Sequence, residues 1–174
     1  MQAIKKSARL FNAEWQAIFP LKPNALGFLE ANSPMAEFIF KDLIKKEGLE
    51  NSFLVSSSAT STEEIYMGVG NFVYPPAKAE LLKHGINSDG KRAVQLKKSD
   101  YGKYDYFVGM DSANIRNMHI ILDGDKDGKI SKLLDYTDKK GDVSDPWYTD
   151  RFDIAYSDIL RGCKGLLEKL KSQL

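Results

Sequence analysis

SPMAEFIFKDLIKKEGL, residues 33–49, is the stretch on which the reading of this chain turns. Ser33 is a good N-cap and Pro34 a good first helical residue. Glu37 is suitably acidic for the positive start of a helix. Met35, Phe38, Ile39, Leu43 and Ile44 form an apolar stripe at helical spacing. Gly48 followed by Leu49 reads as a glycine C-cap with its hydrophobic contact. A short buried strand is predicted at once afterwards, over residues 52–58 (SFLVSSS).

The alternation continues downstream. Residues 74–84 form a helix entered through Pro75-Pro76 and ended at Gly85. Residues 104–110 (YDYFVGM) read as the best strand in the chain, and a short helix follows from about Ser112. Residues 130–136 make a weaker strand. A last helix begins near Asp150, with Phe152, Ala155, Tyr156, Ile159, Cys163, Leu166 and Leu170 repeating at three and four. Strands separated by helices predict one α/β domain with a parallel sheet covered on both faces. In such folds ligands bind beyond the C-terminal ends of the strands, often at a helix N-terminus. Ser33-Pro34 opens such a helix. Asp145-Pro146 follows the last strand, so the two segments should face one pocket.

Composition narrows the function classes. The 174 residues suffice for one domain with a real core. A net charge of +1 argues against a nucleic-acid surface. No apolar run reaches the length of a membrane helix. One cysteine excludes a disulfide framework and fits a reducing, cytoplasmic setting. Residues 1–20 carry Lys5, Lys6 and Arg9 among apolar Ile4, Leu10, Phe11, Trp15, Ile18 and Phe19, a pattern open to an amphipathic surface helix or to an ill-fitting leader.

The segment at 33–49, with SSSATS at 56–61, YPPAKAELLKHGI at 74–86, YDYFVGMDSANIRNM at 104–118, KLLDYT at 132–137 and DPWY at 145–148, resembles the low-molecular-weight protein tyrosine phosphatase family. The resemblance runs from about Ser33 to Leu170. It implies a flavodoxin-like, four-stranded parallel sheet of the phosphotyrosine phosphatase I type. It also implies hydrolysis of a phosphotyrosine protein or small aryl phosphate through a phosphocysteine, with no metal or other cofactor. In the family a C-x5-R-S-P loop joins the first strand to the first helix. Its thiolate attacks phosphorus, and its amides and arginine hold the oxygens. By this resemblance Asp145 matches the general acid that protonates the leaving oxygen. Trp147 and Tyr148 match the aromatic walls, Ser33 and Pro34 the end of the phosphate loop, and Asp111 and Asn114 a segment supporting the site. Lys91 falls near a position where many members have a bracing histidine.

The chemistry itself is missing. Counted back from Ser33, the nucleophile position is Leu26 and the arginine position Asn32; a one-residue slip gives Ala25 and Ala31. No cysteine precedes Cys163, which lies on the apolar stripe of the last helix as a buried structural thiol. No arginine lies between Arg9 and Arg92. Pro20 and Pro23 also make residues 18–26 a poor central strand, since proline cannot donate to a ladder. Residues 1–32 therefore read as a segment foreign to the domain at 33–174, whether by frameshift, splicing, a wrong start or replacement. The expectation is a catalytically inert family member. The alternatives are an active tyrosine phosphatase whose true N-terminus differs, and a non-catalytic phosphate-binding or interaction module.

Three other signals have plainer readings. Residues 123–130 (DGDKDGKI) resemble the front of a calcium loop, but Leu134 stands where a bidentate Glu is needed, so a solvated acidic turn is expected. His84 and His119 are too isolated for a metal site. Tyr101, Tyr104 and Tyr106 are read as alternating strand residues.

Overall fold

The computed structural model describes residues 24–29, 33–147 and 149–174. The amphipathic reading of residues 1–20 lies outside them, as does Tyr148. The elements are β1 (Asn24–Leu29), α1 (Ser33–Lys46), β2 (Phe53–Ser58), β3 (Ile65–Tyr66), β4 (Val69–Gly70), α2 (Pro75–Lys83), β5 (Tyr106–Gly109), α3 (Ser112–Ile121), β6 (Ile130–Lys132) and α4 (Phe152–Lys171). Four strands form a parallel sheet in the order β2-β1-β5-β6, and β3 and β4 form a separate two-stranded hairpin.

β1 is a central strand despite the prolines before it. It begins at Asn24, so Pro23 precedes the ladder and no missing N–H interrupts it. Leu26 pairs with Val55 on one side and Tyr106 on the other. Asp105 clamps the entry: its Oδ2 accepts from Ala25 N at 2.9 Å, and its own N donates to Ala25 O at 2.8 Å. Alternation then sorts the strand's side chains. Leu26 and Phe28 are fully buried in the large core with residues of α1 and α4. Leu29 joins Phe107, Met118 and Leu122 on the α3 side. Burial on both faces is the expected state of a central parallel strand, and each large side chain so buried is worth about 1.5–3 kcal/mol.

The elements expected downstream are present with trimmed ends. The strand expected over 130–136 divides into the three residues of β6 and a 3-10 turn at Leu133–Tyr136. α4 packs against that turn and α1, and glycine permits the close approach. A Cβ at Gly165 would lie 2.0 Å from Tyr136 O, and one at Gly162 would lie 2.5 Å from Leu133 Cγ. Gly48, at φ +68°, closes α1 in the left-handed region, where Leu49 N donates to Ile44 O at 2.8 Å. The hairpin of β3 and β4 has no counterpart in the sequence reading: its strands are two residues each, too short for period-two alternation to register.

Candidate functional site

The strand order places the reversal of winding between β1 and β5, the position where ligands bind in open α/β sheets. A pocket of about 550 Å³ lies beside the C-terminal end of β2 and the start of α1. Pro34, Ser57, Ser58, Lys91, Asp145 and Trp147 are among its lining residues. Pro34 and Asp145-Pro146, more than a hundred residues apart in the chain, thus line one cavity.

The loop bearing Asp145 is fixed from three directions. Asn114 is 3% exposed, and its Oδ1 accepts from Met110 N at 2.9 Å. Met110 O accepts from Val143 N at 2.9 Å. Asp111 caps α3 by accepting from Asn114 N at 2.7 Å. Ser144 Oγ donates to Asp158 Oδ2 on α4 at 2.9 Å. Asp142 accepts from Lys132 Nζ at 3.0 Å and from Ser112 Oγ at 3.1 Å. Asp111 and Asn114 do not line the cavity; they connect to the loop bearing Asp145 through Met110 and Val143. Asp145 Oδ1 accepts from Trp147 N at 2.9 Å, which turns the chain so that the Trp147 ring leans on Tyr74, centroids 5.4 Å apart. Tyr74 in turn packs on Phe152 at 5.8 Å.

The floor of the cavity holds a charge cluster that the sequence did not reveal. Glu37, read as an acid for the start of α1, is 3% exposed and lies beyond the first turn of the helix. Its carboxylate meets Lys41 Nζ at 2.5 Å, Lys91 Nζ at 2.6 Å and Ser57 Oγ at 2.6 Å. Burial alone would raise its pKa, but the hydrogen bonds from Lys41, Lys91 and Ser57 outweigh that and hold the carboxyl below the ordinary glutamate value. Lys91 also reaches Ser57 O at 3.4 Å. The lysine at the bracing position therefore joins α1 to β2 through a buried acid. The periodicity of α1 could have flagged Glu37, because an acid next to an apolar stripe needs a partner.

The phosphate loop is shortened as well as altered in residue type. A C-x5-R pattern ending before Ser33 needs the seven residues 26–32, yet β1 runs to Leu29 and leaves only Glu30, Ala31 and Asn32 between strand and helix. Leu26, at the counted nucleophile position, is 0% exposed and paired on both sides in the sheet; Ala25, at the slipped position, is 3% exposed. Cys163 is 0% exposed on α4, with Sγ 3.8 Å from Ala36 O, and burial pushes its thiol pKa far up. It supplies no thiolate to the cavity.

The remaining signals resolve simply. Asp125 accepts from Lys129 N at 2.8 Å, Ile130 N at 3.0 Å and Tyr101 Oη at 2.9 Å, so its oxygens tie the acidic turn to β6. Among the described residues no group of three or more His, Cys, Asp or Glu is placed to hold a metal. No described helix is long and apolar enough to cross a membrane. His84 stacks on Tyr156 at 3.8 Å. Only Tyr106 of the three tyrosines lies in a strand; Tyr101 and Tyr104 precede it and pack on Phe107.

Comparison with known proteins agrees with this geometry. Residues 30–174 match the family described as low molecular weight phosphotyrosine protein phosphatase. The chain is 34% identical over 143 residues to the low molecular weight protein-tyrosine-phosphatase YfkJ of Bacillus subtilis, covering 81% of this chain and 89% of that one. It is 36% identical over 145 residues to the low molecular weight phosphotyrosine protein phosphatase of Gallus gallus, covering 79% and 87%. The crystal structure of YfkJ from Bacillus subtilis superposes with a TM-score of 0.81 at 30% identity, over 87% of this chain and 97% of that one. The matched family segment begins at residue 30, after β1, so the central strand is supplied by sequence outside the recognised region. With its sheet order, its cavity and its relatives in agreement, this chain belongs to the low-molecular-weight protein tyrosine phosphatase family, without a cysteine or an arginine where the family's phosphate loop would stand.

Proposed function

We propose that this chain is a non-hydrolysing member of its family that works by binding through the cavity beside Asp145. One observation carries the reading: of the seven residues that would form the phosphate loop, four are strand β1 and three are Glu30, Ala31 and Asn32. Backbone amides committed to a central ladder do not converge on phosphate oxygens, and no side chain among the seven attacks phosphorus or neutralises its charge. Asp145, the general acid by resemblance, has no leaving group to protonate and becomes part of the cavity wall.

The family implies a phosphotyrosine protein or a small aryl phosphate as partner; in this chain an aromatic wall remains, but the cradle for the phosphate does not. Trp147 and Tyr148 are the proposed ring contacts by resemblance, with Ser33 and Pro34 at the edge and Asp111 and Asn114 as positioning residues. A reducing cytoplasm suits a chain whose one cysteine is buried and unpaired. The test is hydrolysis of para-nitrophenyl phosphate by the purified chain. No vanadate-sensitive turnover above buffer is expected; robust vanadate-sensitive turnover overturns the reading.

A further inference from the structure

The charge around the cavity is opposite to what a phosphate requires. Among its described lining residues Glu63, Glu64 and Asp145 are acidic and Lys91 is the only base. Lys91 is already answered by the buried Glu37 at 2.6 Å. The described lining side chains thus carry more negative than positive charge, which disfavours a phosphate dianion among them.

The apolar walls favour the same kind of guest that the carboxylates do. Trp147 and Tyr74 line the cavity and keep 65% and 44% of their surface open, while the ring of Phe72 is already covered by Arg92. Ring faces attract cations, guanidinium and ammonium alike. The protein already shows this chemistry on the same wall: the Arg92 guanidinium sits 3.6 Å from the centre of the Phe72 ring, with Nη1 donating to Gly70 O at 2.9 Å. The volume, about 550 Å³, accommodates a long side chain together with part of its backbone.

We propose that this cavity receives a basic side chain, arginine or lysine, from a protein partner, with the ring of Trp147 and the carboxylate of Asp145 as its main contacts. The inference rests on the non-hydrolysing reading and names the partner chemistry of that site.

The experiment uses the full chain and three acetylated, amidated pentapeptides that differ only at the centre: arginine, its neutral isostere citrulline, and phosphotyrosine. Binding is read by tryptophan fluorescence, with Trp147→Phe separating the signal from that of Trp15, and by calorimetry at two salt concentrations. The arginine peptide is expected to bind at least about tenfold more tightly than the citrulline peptide at low salt, with the difference shrinking as salt rises. The triple variant Glu63→Gln, Glu64→Gln, Asp145→Asn is expected to lose most of that preference while its circular dichroism and melting stay near those of the parent. Equal binding of arginine and citrulline peptides, or tighter binding of the phosphotyrosine peptide, overturns the proposal. Turnover of para-nitrophenyl phosphate would sink the non-hydrolysing reading whatever the peptides do. No turnover together with no arginine preference sinks this inference alone.

Discussion

Lys91 Nζ lies 2.6 Å from the carboxylate of Glu37, and this contact ties helix α1 to the chain that follows β2 beneath the cavity floor. Glu37 is buried and Lys91 is 17% exposed at its side chain, so water screens the pair poorly. Removing one partner of a buried pair strands the other. Glu37→Gln should therefore cost about 2 kcal/mol, read as a drop in the urea midpoint.

The same carboxyl sets an acid limit. Its folded pKa is held below the ordinary glutamate value, so its contribution to stability is complete above about pH 4.3 and is lost as pH falls through the folded value. Melting followed from pH 6 to pH 2 should show a steep loss below about pH 4 that is shallower in Glu37→Gln. In Lys91→Met the loss should begin at higher pH, because one of the hydrogen bonds favouring the carboxylate is gone. Identical acid profiles for all three proteins would contradict the assignment.

Point substitutions should not rebuild the phosphatase. In Leu26→Cys with Asn32→Arg, the new thiol sits in the middle of β1 at a position with no exposure. No turnover of para-nitrophenyl phosphate is expected, and replacing a fully buried leucine should cost about 2 kcal/mol in addition. Activity should require replacing residues 26–32 together, with a longer loop after a shortened strand.

Cys163 should be silent to thiol reagents in the folded chain. Its sulfur is fully buried and its pKa strongly raised, so little thiolate forms at neutral pH. Labelling by a disulfide reagent should proceed at the rate of unfolding and become fast in denaturant. Rapid stoichiometric labelling of native protein would falsify the burial of this thiol.

The contact between α4 and the turn at Leu133–Tyr136 has no room for a methyl group. Gly165→Ala would place Cβ 2.0 Å from the Tyr136 carbonyl oxygen, a backbone atom that yields little. A loss of about 1–3 kcal/mol is expected by chemical denaturation. A stability gain, the usual result for glycine to alanine in an open helix, would mean that the two elements sit farther apart.

Much of the layout was legible in the chain because it rests on local rules. The stripe of α1, the glycine at 48, the proline entry to α2 and the three-and-four repeat of α4 each depend on residues within a few turns of one another. So does the absence of a cysteine before Ser33 and of an arginine between Arg9 and Arg92, which needs only residue types. β1 was harder, because two prolines nearby argue against a central strand and only the ladder shows that the strand starts after them. Tyr106 and Val55 select Leu26 as their partner through pairing across the sheet, and no pattern inside residues 24–29 encodes that register.

The amino-acid order alone settled which elements form and which reactive groups are missing, because helix periodicity, capping and inventory act over short stretches of chain. Folding in three dimensions decided that Leu26 belongs to the core, that Glu37 is a buried anchor for Lys91, and that the cavity is rimmed by acids and open aromatic rings. Those outcomes depend on the meeting of residues far apart in sequence, where register, burial and charge are set by the neighbours that packing supplies.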